Sequence, residues 1–137
     1  MSYDIELVDP ETGETLRLDR PHNMKGGTYA LGGNTLAELN VTYNYSPLFC
    51  KVFPELPSPR VNSPDWLRER GEPVRGIRTI YGLTGQESID LLTSAINALG
   101  HDINENYWKP TEGNARLALS HLLALALERP DGVWSGD

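Results

Sequence analysis

Cysteine is almost missing from this chain of 137 residues, and Cys50 stands alone. A single thiol closes no intramolecular disulfide and builds no cysteine zinc site. Placed in an apolar helical stretch, Cys50 reads as a small buried residue rather than a nucleophile. Histidine is nearly as scarce: His22, His101 and His121 share no metal-ligand spacing. No apolar run approaches the roughly 18 residues that cross a bilayer. The opening Met-Ser-Tyr-Asp-Ile-Glu has no basic run and no apolar core, so no signal peptide is expected and the chain is read as cytoplasmic. Catalytic signatures are missing too, with no nucleophile elbow, no HExxH helix and no Walker loop. Neither cofactor nor metal is expected.

Positive charge is also in short supply. Twelve Lys and Arg against 19 Asp and Glu leave a formal net charge of −7. A field of that sign disfavours general nucleic-acid binding and adsorption to anionic membranes. The deficit is uneven, because Arg60, Arg68, Arg70, Arg75 and Arg78 face only three acids between positions 60 and 78. A small anion therefore remains a reasonable ligand.

What is present indicates one domain of the α+β class. Tyr3, Ile5 and Leu7 alternate with Asp4 and Glu6, the pattern of a half-buried strand. Turn chemistry at Asp9–Gly13 and apolar Leu16 and Leu18 predict an antiparallel return. Residues 19 to 35, with two Gly-Gly pairs, read as a loop. The chain's organising stretch is Leu36–Phe49. As a strand over about Thr35 to Tyr45 it sorts Glu38, Asn40, Thr42 and Asn44 onto one face and Leu39, Val41, Tyr43 and Tyr45 onto the other. Ser46-Pro47 then starts a short helix that buries Leu48, Phe49 and Val52.

Half of the prolines fall between Phe53 and Arg75, which makes this a long structured loop, a lid or an interface, with a helical turn over Ser63–Arg70. Gly76–Tyr81 reads as a short strand. Thr84-Gly-Gln-Glu87 is a capping box for a helix to Leu99, with Ile89, Leu92, Ile96 and Leu99 as its stripe. A second long helix runs from Thr111 or Glu112 to Glu128, its apolar face formed by Leu117, Leu119, Leu122, Leu123, Ala126 and Leu127. Val133-Trp-Ser supplies a last edge strand. The expected architecture is an antiparallel sheet of about four strands with two long C-terminal helices on one face.

Candidate ligand residues cluster at element boundaries: Asn40, Thr42 and Asn44 on the central strand, Arg78 and Tyr81 before the first long helix, and Trp108, Thr111, Glu112 and Asn114 at the start of the second. Helix-start amides attract anions, arginine forks phosphate, and aromatic rings stack bases. This set suits a small phosphorylated or nucleotide-like molecule. Plain caps, a core-covering tryptophan and a wet sheet face explain the same residues without any ligand, and both readings stay open. Glu112 or Glu38 beside His22 offers an acid–base pair, but the chain is read as non-enzymatic. An alternative is a protein-interaction module that uses Trp66 and Trp134.

Tyr3-Asp4-Ile5, Asn40-Val-Thr-Tyr-Asn44, Ile80-Tyr-Gly-Leu-Thr-Gly85 and Trp108-Lys-Pro-Thr-Glu-Gly-Asn-Ala115 resemble a family of small, largely uncharacterised bacterial and phage proteins. The likeness spans nearly the whole chain, with Phe53–Arg75 an insertion relative to shorter members. It implies no catalytic residue. By analogy of size and context it implies a phage anti-defence sponge, a homo-oligomer that sequesters an immune signalling nucleotide of the cyclic nucleotide or cyclic ADP-ribose type.

Overall fold

In the computed structural model of the chain, residues 1–24 and 32–137 are described. The alternation at the N-terminus produces β1 (Ser2–Val8), which buries Tyr3, Ile5 and Leu7. After the turn, Asp9 Oδ1 accepts the amides of Glu11 and Thr12, and Gly13 adopts φ +75°. The expected return pairs only briefly, through one bridge between Val8 and Thr15. The chain then leaves the sheet as β2 (Arg17–His22), which pairs with β3 (Asn34–Leu36) in a separate two-stranded ribbon. The predicted loop over 19 to 35 is thus partly strand. Its first Gly-Gly pair lies outside the described residues.

Among the described residues the main sheet has three antiparallel strands in the order β4 (Glu38–Thr42), β1, β5 (Val133–Gly136). The α+β class and the antiparallel sheet agree with the sequence, while the expected four strands resolve into three plus two. β4 also stops earlier than expected. Thr42 Oγ1 accepts the amide of Asn44, so Thr42 caps a 3-10 turn over Tyr43–Tyr45 and the strand alternation ends there. Tyr45 swings fully into the core and Asn44 is exposed.

α1 (Ser46–Val52) has Pro47 in its first turn but no side-chain cap, since the Ser46 hydroxyl faces Tyr3 instead. Of the expected trio only Phe49 is fully buried, and Leu48 and Val52 are half-buried. Cys50, expected inside, is exposed. One residue further along a helix rotates the side chain by about 100°, away from the face that Phe49 buries.

The proline-rich stretch is tied down. Leu56 and Val74 exchange backbone hydrogen bonds at 2.9 and 2.8 Å, and α2 (Asp65–Arg70) buries Leu67 and ends at a left-handed Gly71. The expected strand at Gly76–Tyr81 is a 3-10 turn over Gly76–Ile80. Gly76 takes φ +64°, and the Thr79 hydroxyl donates to the Gly76 carbonyl at 2.8 Å, which winds the segment and buries Ile77, Thr79 and Ile80 together.

α3 (Gly85–Ala98) begins with the capping box that Thr84 and Glu87 predict. Its stripe runs through Ser88, Leu92, Ala95 and Ile96, with Ile89 half-buried. Ser88 is inside because its hydroxyl donates to the Gly85 carbonyl and accepts the Trp134 indole at 2.7 Å. α4 (Glu112–Glu128) packs mainly on α3 and buries Ala115, Ala118, Leu119, Leu122, Leu125 and Ala126. Leu117 and Leu127, expected on that face, are 41% and 61% exposed. One core unites the inner face of the sheet with α1, α3 and α4. Among the described residues no helix is long and apolar enough to cross a membrane.

Candidate functional site

The residues nominated by sequence separate into two structural groups, and of them Asn40 alone lines a cleft on the open face of the main sheet. The first group closes the connection between α3 and α4. Asn114, nearly buried, accepts the Asn104 amide through Oδ1 at 2.9 Å and donates through Nδ2 to the carbonyls of Asn106 and Lys109 at 3.1 and 3.0 Å. Thr111 caps α4 by accepting the Asn114 amide at 3.1 Å. Glu112 reaches back to the Gly100 amide at 3.0 Å. Asn44 donates to the Trp108 carbonyl at 2.8 Å, and Thr42 donates its amide to the Tyr107 hydroxyl at 3.0 Å. The Tyr45 hydroxyl donates to the Tyr107 carbonyl. Trp108 packs edge-on against Tyr107 and is half exposed.

These bonds alter the meaning of the α4 start. Helix-start amides attract an anion when they are open, but here the Gly113 amide already donates to Asp102 Oδ1 and that of Asn114 to Thr111. A Cβ on Gly113 would stand 2.6 Å from backbone atoms of Asp102 and Ile103, so the connection lies directly on the helix end. The position of a ligand is filled by the chain itself.

The second group is Arg78 and Tyr81. Tyr81 is buried, and its hydroxyl donates to the main-chain oxygen of Asp137 at 3.2 Å. Burial pushes the phenol well above its ordinary range, against the lowering influence of Arg78, so it remains a protonated donor. Arg78 donates through Nε to the same Asp137 oxygen at 3.0 Å and lies over the rings of Tyr3, Tyr43 and Trp66. Trp134, proposed as an interface residue, is instead a fully buried core residue.

The cleft itself lies on the open face of the main sheet and encloses about 530 Å³. Its floor is two rungs of a ladder. Asn40 stands opposite Asp4, and Glu38 opposite Glu6, which in turn stands opposite Ser135. Continuing that register brings Asp137 beside Asp4, and the Asp4 amide donates to Asp137 Oδ1 at 2.8 Å. His22, Met24 and Asn34 form one wall, and Pro64 and Trp66 another. Glu38 and His22, the pair weighed for acid–base chemistry, share this cleft, whereas Glu112 lies at the α4 start. Among the described residues no group of three His, Cys, Asp or Glu side chains converges on a point where a metal ion would fit.

No family model, curated protein or solved structure matches the chain. The chemistry of the cleft therefore has to be read from its own donors and acceptors.

Its amide and indole donors are already engaged, and the Ser135 hydroxyl is the one side-chain donor among the described lining residues with no protein partner. Asn40 Nδ2 donates to Ser2 Oγ and Asp4 Oδ1 at 2.6 and 2.7 Å, Asn34 Nδ2 to Glu38 Oε1 at 3.1 Å, and the Trp66 indole to the Gly136 carbonyl at 2.8 Å. His22 sets Nε2 against the Leu36 carbonyl at 3.0 Å, which requires a proton on Nε2, and Nδ1 is buried with no partner among the described residues. Acceptors are in surplus. Asp4, Glu6, Glu38 and Asp137 keep free oxygen lone pairs after one or two bonds each, and no Lys or Arg is among the described lining residues.

Sequence reasoning missed Asp4, Glu6, Asn34, Ser135 and Asp137. The alternation of β1 carried the signal for Asp4 and Glu6. Nothing local indicated that β5 would return beside them.

Proposed function

We propose that this protein is a non-enzymatic binder that sequesters a small organic cation in the cleft on the open sheet face. The observation that carries this reading is the mismatch between engaged donors and free acceptors. A ligand entering such a site must bring its own N–H groups, which ammonium and guanidinium ions do. The carboxylates are spread over two rungs, about 7 Å apart along the strands, so the geometry favours an extended cation with two charged ends over one compact ion.

A second reading keeps the phosphorylated or nucleotide-derived ligand expected from the sequence and is favoured by a different groove. Arg17, Arg20 and Arg129 outnumber Asp19 and Glu128 around about 390 Å³ between β2 and the end of α4. Arg129 is already held by Asp131, which keeps that carboxyl below its ordinary range. This leaves Arg17 and Arg20 to recognise an anion, so the groove is the weaker site.

Calorimetry and thermal-shift assays with a four-carbon α,ω-diamine, agmatine, inorganic phosphate and a cyclic dinucleotide separate the two. The cation reading expects heat and a raised melting temperature with the amines, weakening as salt rises. Heat with the phosphorylated probes alone would replace it with the second reading. Recovery of the ligand intact after heating is expected of a binder, and a converted product would point to Glu38 and His22 as an acid–base pair. Size-exclusion chromatography of the same samples tests the homo-oligomer implied by the sponge analogy.

A further inference from the structure

Arg78 occupies a box of aromatic rings on the flank of the cleft. Its guanidinium carbon lies 5.1 Å from the centre of the Tyr3 ring, 5.3 Å from Trp66 and 6.0 Å from Tyr43. Its Nε donates to the main-chain oxygen of Asp137 at 3.0 Å. These partners come from β1, α2, the turn after β4 and the end of β5. Two of them, Trp66 and Asp137, are themselves walls of the cleft.

The platform beneath Arg78 is stiff. Ile77, Thr79 and Ile80 are buried on either side of it, and Thr79 locks the turn through the Gly76 carbonyl. Trp66 is joined to β5 by its indole bond to Gly136, while its ring contacts Arg78 and, at 5.6 Å, Arg70. Few other side chains would meet both demands. A planar guanidinium stacks on rings while a ring-side N–H donates laterally, and lysine has neither the plane nor the lateral donor.

We infer that Arg78 is the positioning residue of the cleft, holding the Trp66 wall against the Asp137 edge and so setting the width of the site. The inference rests on the reading of the cleft as the binding site, but its principal readout needs no ligand.

The experiment follows Trp66 by acrylamide quenching in a Trp108→Phe background. There the remaining emission comes from Trp66 and from Trp134, which is fully buried. Arg78→Ala and Arg78→Lys are each expected to raise the quenching constant at least twofold, with no rescue by lysine. Thr84→Ala, a destabilising change at a helix cap outside the cleft, is expected to leave the constant unchanged. Quenching in Arg78→Lys equal to that of the parent overturns the inference, even if Arg78→Ala fails to fold. A rise in Thr84→Ala as large as in Arg78→Lys overturns it as well, since general loosening would then be the cause. Diamine titration of the same proteins separates the two readings. An expected loss of about fivefold in affinity in Arg78→Lys supports both, whereas a parent that binds no amine removes the cation reading while quenching still decides the role of Arg78.

Discussion

Two polar regions of this molecule are built from similar residues and stand in opposite states. The connection between α3 and α4 carries Asp102, Asn104, Asn106, Thr111, Glu112 and Asn114, and these side chains bond to backbone groups of the connection and its flanks over separations of two to 12 residues. The open sheet face carries Asp4, Glu6, Glu38, Asn40 and Asp137, where donors are engaged and acceptors remain. In the first region polarity holds the chain in place; in the second it faces a cleft. Composition does not separate the two cases, but hydrogen-bond saturation does.

The largest expected effect tests the saturated side. Asn114→Ala removes three side-chain bonds at a nearly buried position and strands the Asn104 amide, so it should cost about 2–4 kcal/mol in chemical denaturation. A cost under about 1 kcal/mol would mean that the connection is not held by these bonds and would break the comparison.

Next comes Gly113→Ala, whose new Cβ would meet backbone at 2.6 Å. Overpacking of that kind should cost about 1–3 kcal/mol and loosen the protection of the connection in hydrogen exchange. Unchanged protection would show that the connection is not pressed against the helix.

The capping box of α3 provides a smaller and independent scale. Thr84→Ala should cost about 1 kcal/mol. Hydrogen bonds from the Thr84 amide and hydroxyl side hold the Glu87 carboxyl below its usual range. A depressed folded-state value means that the stabilisation is present above the ordinary glutamate range and disappears as the pH falls through it toward the lower value. The stability difference between the parent and Glu87→Gln should therefore be largest near neutral pH and shrink on acidification. A difference that grows in acid would contradict the direction of the shift.

The smallest effect on stability belongs to the open face. Asp4→Asn combined with Glu38→Gln should change folding stability by less than about 0.5 kcal/mol, or raise it slightly by removing like-charge repulsion. The same pair should weaken diamine binding about tenfold or more. A large loss of stability with unchanged amine binding would make this face structural, like the connection.

Elements governed by neighbours in sequence were legible in advance. The alternation of Tyr3, Ile5 and Leu7, the Thr84–Glu87 box and the stop at Arg129-Pro130 each act within a few residues, and β1, α3 and α4 formed where they indicate. Errors arose where a local cap or a helix rotation overrode the pattern, and where a distant partner decided. Thr42 ended its strand by capping a turn, so Asn44 left the row it was expected to share with Asn40. α4 buries Ala115 and Ala118 while Leu117 and Leu127, expected on the apolar face, stand outward. Trp134, which invites a surface reading near the end of the chain, found the Ser88 hydroxyl and a place in the core. Cys50 was expected inside and emerged outside because a seven-residue helix has only one narrow buried face.

The sequence by itself determined the α+β class, the two long helices with their starts, and the outward face of Asp4 and Glu6, because periodicity and capping are local properties of the chain. Only the tertiary structure decided what the polar residues do. Strand register brought Asp137 beside Asp4 from a separation of 133 residues and Glu38 beside Glu6 from within the first third of the sequence. Backbone groups from the connection took up both ends of the Asn114 amide and one oxygen of Glu112, and the chain itself lies over the helix start where a ligand would sit. A side chain's chemistry is set by its residue type, but whether its hydrogen bonds remain free is set by what the fold brings within 3 Å.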